Sequence, residues 1–307
     1  MSKFNIINKF PFLLLFFKKG KAVLKKNHSY VLLYHSFSEY NRRYYINICS
    51  YEKFYNDILK LKENFSFSND FSKLPFNNIF LTFDDGYKSI LPILEFLEFN
   101  KIPSIVFLSG RVVNEEMLPK DKIFQVCRCV PKKTLLKFHN LKIKINSSNR
   151  LYRDYLGMHL NRYAINKLNY SEYLKEIDIF FNYYHNFVNY IDDDLKRLSK
   201  EDLKIIKGFK YCKIGSHAQY HYDLRRLKNN ELHFEIDNSK KTLEAIFNNK
   251  DLEYFSCPYG FFNEEALACI KKSGYKKVFT TEQREINDGD IFFIPRIGVD
   301  DKIIEIL

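Results

Sequence analysis

The 307-residue chain has no Trp and only 10 Gly. It shows no internal repeat and no low-complexity linker, so nothing in its composition divides it into modules, and its length suits one large domain or two small ones. Its six cysteines, Cys49, Cys127, Cys129, Cys212, Cys257 and Cys269, follow no regular spacing. That excludes a disulfide framework. Cys127-x-Cys129 is a weak metal signal, and small buried hydrophobes in a reducing compartment fit better. No apolar run approaches the roughly 20 residues that a bilayer span needs, since Phe10 to Phe17 is interrupted by Pro11. Lys18, Lys19 and Gly20 follow that run instead of a small-residue cleavage site, so no export signal is expected. The expected location is the cytoplasm or the inner membrane face. There is no Arg-rich stripe and no zinc-finger spacing, and nucleic acid is not expected as a partner.

What is present is apolar and basic. Apolar residues make up 46% of the chain, enough to fill a core, and the formal charge is +12. The lysines are spread along the whole sequence, as on a generally basic surface. Residues 1–27 combine Leu and Phe with Lys3, Lys9, Lys18, Lys19, Lys21, Lys25 and Lys26. That mixture suits an anchor on an anionic membrane surface, and equally a helix packed on the core.

Residues 28–307 read as one α/β domain. Tyr30 to Tyr34 (YVLLY) is continuously apolar, the pattern of a strand buried on both faces. Ser50 can cap a helix with Phe54, Ile58 and Leu61 on one face. Strand, helix and strand over 79–83, 91–99 and 102–108 make a parallel βαβ unit. From about Arg111 to Leu198 the rhythm changes to helical stretches with few strand signals, as in a helical insertion. The βα rhythm resumes at Ser199, where Ser-x-x-Asp202 resembles a capping box. Strands are expected at 211–215, 252–256, 277–280 and 292–296, with a long helix carrying Leu232, Ile236, Leu243 and Ile246. Repeated βα units predict a parallel sheet, open or closed, with functional groups at the C-terminal strand ends.

Three segments fall at such ends: Thr82-Phe83-Asp84-Asp85-Gly86, Gly215-Ser216-His217-Ala218-Gln219-Tyr220-His221, and Ser256-Cys257-Pro258-Tyr259-Gly260. A helical turn would bring His217 and His221 to one side, where one cation could accept both imidazoles. One carboxylate added to them makes a donor set for Zn²⁺ or another divalent transition ion. Two adjacent carboxylates repel unless one binds a cation, which leaves the other to take a proton.

TFDDGY, GSHAQYHYDL and SCPYG, in this order, resemble the polysaccharide deacetylases of the NodB-homology group, carbohydrate esterase family 4. YEKFYNDILKLKENF, KIPSIVFLSG and GYKKVFTT…FFIPRIGVD extend the resemblance over roughly Tyr30 to Asp300, apart from the insertion. It implies a distorted (β/α)₇-type barrel and removal of acetyl groups from an N-acetylated sugar, in a glycan or a lipid-linked precursor. It implies Asp84 as catalytic base, and Asp85, His217 and His221 as ligands of one divalent metal, first Zn²⁺, with Co²⁺, Ni²⁺ or Mn²⁺ as alternatives. Tyr259, in the Pro258-Tyr259 pair, matches the residue whose backbone N–H binds the oxyanion.

Departures from the family pattern shape the remaining expectations. Ala218 stands where Ser or Thr is usual. Ser256 and Cys257 stand where an Arg often orients the catalytic Asp, and Arg296 is the candidate to replace it. No histidine follows His233, so His35, at the end of the first buried strand, is the expected general acid. Rival readings are a hydrolase of another amide or an O-acetyl ester, and a non-catalytic carbohydrate-binding module.

Overall fold

A computed structural model describes residues 20–39, 48–72, 76–248, 252–290, 292–300 and 302–307. Most of the 1–27 segment considered above as a membrane anchor lies outside them. Within it, Lys21–Leu24 forms a strand parallel to Ile303–Ile306.

The central sheet is wholly parallel among the described residues. Its strands are β1 (Tyr30–Tyr34), β2 (Asn78–Phe83), β3 (Ser104–Leu108), β4 (Cys212–Ser216), β5 (Tyr254–Ser256), β6 (Lys277–Phe279), β7 (Phe293–Ile294) and β8 (Ile297–Gly298). Their order across the sheet is β7-β6-β5-β4-β3-β2-β1-β8, with Ser66–Phe67 added beside β2. The two edges, β7 and β8, are separated in sequence only by Pro295 and Arg296. One strand, broken at Pro295-Arg296, therefore pairs with β6 at its start and with β1 at its end. That requires the sheet to curl until its edges meet, giving seven staves and a (β/α)₇-type barrel. Pro lacks the N–H a ladder needs, which suits it to the break.

Alternation explains why these strands read as unbroken apolar runs. Val31, Phe80, Ile105, Phe107, Tyr254, Phe279 and Ile294 form one buried cluster inside the barrel, joined by Phe71 and Ile286. Their neighbours Tyr30, Leu32, Ile79, Leu81, Val106, Phe255 and Val278 belong to the cluster beneath the helices. Both faces of β1, β2, β3 and β5 are buried, so no polar face appears there. The interior is aromatic: Phe71 stacks on Phe80 at 4.2 Å, and Phe107 meets Phe279 at 4.7 Å.

Helices cover the sheet. α1 (Tyr51–Asn64) buries Phe54, Ile58 and Leu61, and its N-cap, the Ser50 side chain, accepts from the Lys53 N–H at 3.2 Å. α2 (Leu91–Phe99) joins β2 to β3. The insertion contributes α3 (Pro119–Cys129), α4 (Arg150–Lys167) and α5 (Tyr170–Tyr183), with α3 packed on both others. α6 (Lys200–Lys207) starts at the Ser199–Asp202 capping box. α7 (Asn229–His233), α8 (Ser239–Phe247) and α9 (Glu264–Lys272) complete the shell.

Three expectations need correction. The insertion also holds an antiparallel hairpin, Leu135–Phe138 with Leu141–Lys144; its outer face is largely Lys, which hid the alternation. The long helix through Leu232 and Leu243 is interrupted by a π-turn over Phe234–Asn238, one extra residue that periodicity cannot show. His217 to His221 is not a helical turn: it is a loop with left-handed backbone at Ala218 (φ 60°) and His221 (φ 59°).

Candidate active site

The same alternation that fills the barrel carries polar groups to its mouth. Continuing each inward register upward gives Leu33 and His35 after Val31, and Thr82 and Asp84 after Phe80. It gives Gly215 and His217 on β4, Ser256 after Tyr254, and Arg296, Gly298 and Asp300 after Ile294. Gly215 leaves room for the Phe107 ring, which an added Cβ would strike. Asp85 has the wrong parity, but its left-handed backbone (φ 74°), followed by Gly86 (φ 80°), turns it back toward the mouth. Asp tolerates that region better than most residues.

Asp85, His217 and His221 converge. Asp85 Oδ1 lies 3.2 Å from His221 Nε2 and 3.5 Å from His217 Nε2. His217 Nδ1 sits 2.8 Å from the Ser256 carbonyl, which fixes that nitrogen as a donor and turns Nε2 toward Asp85. One donor atom from each residue falls within 4.8 Å of the others, and all three residues are buried. Asp85 Oδ1 has no hydrogen-bond donor. Tetrahedral bonds of about 2.0–2.1 Å separate neighbouring ligands by roughly 3.3 Å, close to these spacings. Burial raises the Asp85 carboxyl, but Lys120 and His221 outweigh it and hold it well below the usual range. Burial, then Lys120, pushes His221 well below an ordinary histidine. An ionised carboxylate with neutral imidazole is the donor form a cation requires. The residues present fit a divalent ion.

Asp84 is held apart from that set. Arg296, fully buried, binds it bidentately: Nη1 to Oδ1 at 2.7 Å and Nη2 to Oδ2 at 2.8 Å. The Ser256 hydroxyl donates to Asp84 Oδ2 at 2.9 Å and accepts from Arg296 Nη2 at 2.7 Å. Burial raises the Asp84 carboxyl, yet the guanidinium outweighs it and leaves it below the usual range. His35 is clamped by Asp300, whose Oδ1 accepts from the His35 N–H at 2.8 Å and whose Oδ2 lies 2.9 Å from Nδ1. Burial lowers His35, but Asp300 more than compensates, and the ring titrates above an ordinary histidine. Tyr259 follows Pro258 in a short turn with left-handed backbone (φ 58°), its ring edge-on to His221 at 4.5 Å.

His35, Asp84, Asp85, His217, His221 and Tyr259 all line one cavity of about 520 Å³. Arg296 lies behind Asp84, and Pro258 is buried at the start of the turn. Sequence reasoning missed several wall residues. Asp300 and the bond of Ser256 to Asp84 could have been found by counting alternate positions. Lys120, Phe124, Met158 and Asn161 come from the insertion and had no signal. Lys120 Nζ lies 2.7 Å from Asp85 Oδ2 and 3.4 Å from His221 Nε2.

The Polysaccharide deacetylase family model matches residues 162–278. The family match takes in the second and third motifs and leaves out Asp84-Asp85. No curated protein gives a significant sequence match. Among solved structures, a de-N-acetylase from Aggregatibacter actinomycetemcomitans matches with a TM-score of 0.54 at 18% identity, covering 90% of this chain and 96% of that one. The Streptococcus pyogenes deacetylase PplD, in complex with acetate, matches at 0.54 and 14%, covering 89% and 92%. IcaB from Ammonifex degensii matches at 0.51 and 17%, covering 90% and 94%. At such identities these structures show a shared fold. The resemblance to the NodB-type polysaccharide deacetylases holds, in the family match and in the barrel.

Proposed function

We propose that this chain is a metal-dependent hydrolase that removes the acetyl group from an N-acetylated sugar, in a glycan or a lipid-linked precursor. The observation that carries this reading is the second carboxylate. Asp84 stands beside the Asp85–His217–His221 set, bound by Arg296 and Ser256 and outside the set itself. A binding module has no use for a fixed, ionised carboxylate next to a cation site.

A divalent ion held by Asp85, His217 and His221 would supply Lewis acidity for the acyl carbonyl and for water; Zn²⁺ is the first choice, and Co²⁺, Ni²⁺ or Mn²⁺ suit the same donors. Asp84 accepts the proton of the attacking water. Arg296 and Ser256 fix the plane of its carboxylate and keep it in the acceptor form. The backbone N–H of Tyr259, presented on its left-handed turn after Pro258, donates to the oxyanion. His35 then gives a proton to the sugar nitrogen as the C–N bond breaks, while Asp300 orients the ring through Nδ1. The products are acetate and a free amine.

The test is to load the protein with Zn²⁺ or Co²⁺, offer N-acetylated sugar oligomers, and measure acetate and new amine together. Equal amounts of both, lost in Asp84→Asn, support the proposal. Acetate without amine would make the enzyme an esterase. Full activity in Asp84→Asn would refute the role of Asp84.

A further inference from the structure

The insertion grips the site from behind. Tyr170 and Tyr173 of α5 are three residues apart and share one buried face. Each begins a hydrogen-bond relay that ends on a turn of the cavity. The Tyr170 hydroxyl donates to Glu235 Oε1 at 2.5 Å. Glu235 Oε2 accepts from the Gln219 N–H at 2.8 Å and the Tyr220 N–H at 2.9 Å, both between His217 and His221. The Tyr173 hydroxyl donates to Asn161 Oδ1 at 3.0 Å, and Asn161 Nδ2 donates to the Tyr259 hydroxyl at 3.0 Å.

Both turns need such support. Ala218, His221 and Tyr259 are non-glycine residues in the left-handed region, a conformation that persists only where surroundings impose it. Between Ala218 and His221, two successive amides point inward. A buried carboxylate is the strongest acceptor available for such a pair. Glu235 is fully buried and sits in the π-turn that interrupts the helix after β4. Ala218 has no hydroxyl with which to brace the loop from inside.

We propose that α5 is a positioning element for the metal-binding loop and for the Tyr259 turn. Through Glu235 it fixes the spacing of His217 and His221; through Asn161 it fixes Tyr259 beside His221. Tyr170, Tyr173, Glu235 and Asn161 are positioning residues. The metal readout rests on the function proposed above, while the relays themselves do not.

Tyr170→Phe and Tyr173→Phe keep side-chain shape and remove one hydroxyl link each, and Glu235→Gln keeps shape while replacing the charged acceptor with a weaker, neutral amide oxygen. At pH 8, amide hydrogen exchange at Gln219 and Tyr220 is expected to accelerate in Tyr170→Phe and Glu235→Gln. Calorimetric Zn²⁺ titration should show binding about 10- to 100-fold weaker in both, the range seen when outer-shell partners are lost. The visible spectrum of the Co²⁺-loaded protein should change with it, which a general loss of stability would not cause. The double variant should be no worse than Glu235→Gln alone, because both lie on one relay. Tyr173→Phe should accelerate exchange around Tyr259 and spare the Zn²⁺ affinity. Unchanged exchange and unchanged Zn²⁺ affinity in Glu235→Gln would overturn the proposal, as would additive losses in the double variant. A wild type that takes up no metal would defeat the metal-dependent reading alone, and the exchange rates would still decide the relay.

Discussion

At the scale of single residues, the pair Asp84–Arg296 carries a clear electrostatic risk. Both side chains are almost wholly buried, and neither has solvent to replace its partner. Removing one member of a buried ion pair typically costs about 3–5 kcal/mol, because the other charge stays behind. Arg296→Met is therefore expected to lower stability by about that amount in chemical denaturation. Adding Asp84→Asn should recover much of the loss. His35 gives a second residue-scale prediction. Its proton affinity is raised over an ordinary histidine, so the stability it contributes is complete below about pH 6.5 and is lost as pH rises through the higher folded value. Asp300→Asn should therefore be most damaging at mildly acidic pH, the deficit shrinking as pH rises. The alkaline limb of the activity profile should move to lower pH, since the imidazole would release its proton sooner. A limb that does not move would show that His35 is not the acid. Residue chemistry was partly legible in the sequence. Asp84, Asp85, His217 and His221 stand out because carboxylates and imidazoles at strand ends are unusual. Glu235, Asn161 and Lys120 do not, because their function depends on which distant backbone they meet.

At the scale of elements, what could be read was set by burial. β1 and β2 were legible as strands since both their faces are apolar, and α1 because Ser50 caps it. Ser50→Ala should lower stability by about 1 kcal/mol, the usual worth of an N-cap, with the barrel intact. Gly215→Ala should cost about 1–3 kcal/mol, since its Cβ would press on the Phe107 ring inside a filled barrel. Thermal or denaturant unfolding checks both, and a neutral Gly215→Ala would mean that the interior has slack. The π-turn and the irregular His217–His221 loop were not legible. The π-turn depends on one extra residue and the loop on left-handed backbone at Ala218 and His221, and the hydrophobic pattern on either side is unchanged.

At the scale of the whole molecule, one strand closes the barrel and arms it. The break at Pro295-Arg296 lets residues 293–298 pair with β6 at one end and β1 at the other. The same break delivers Arg296 to Asp84, and two and four residues further on the strand delivers Gly298 and Asp300 to the cavity wall. Closure of the barrel and the candidate site thus share one segment. The βα rhythm foretold a parallel sheet and the family resemblance its closure into a barrel, while the insertion's share in the cavity came only with the fold. Among the described residues no helix is long and apolar enough to cross a membrane.

The central claim is that Asp85, His217 and His221 hold a divalent ion. The most direct test is bound metal per chain in purified protein, wild type against His217→Ala and Asp85→Ala, after exposure to Zn²⁺ or Co²⁺. The account predicts close to one ion in the wild type, loss in both variants, and retention in Asp84→Asn. A wild type that binds none, or variants that bind as well as it does, would contradict it.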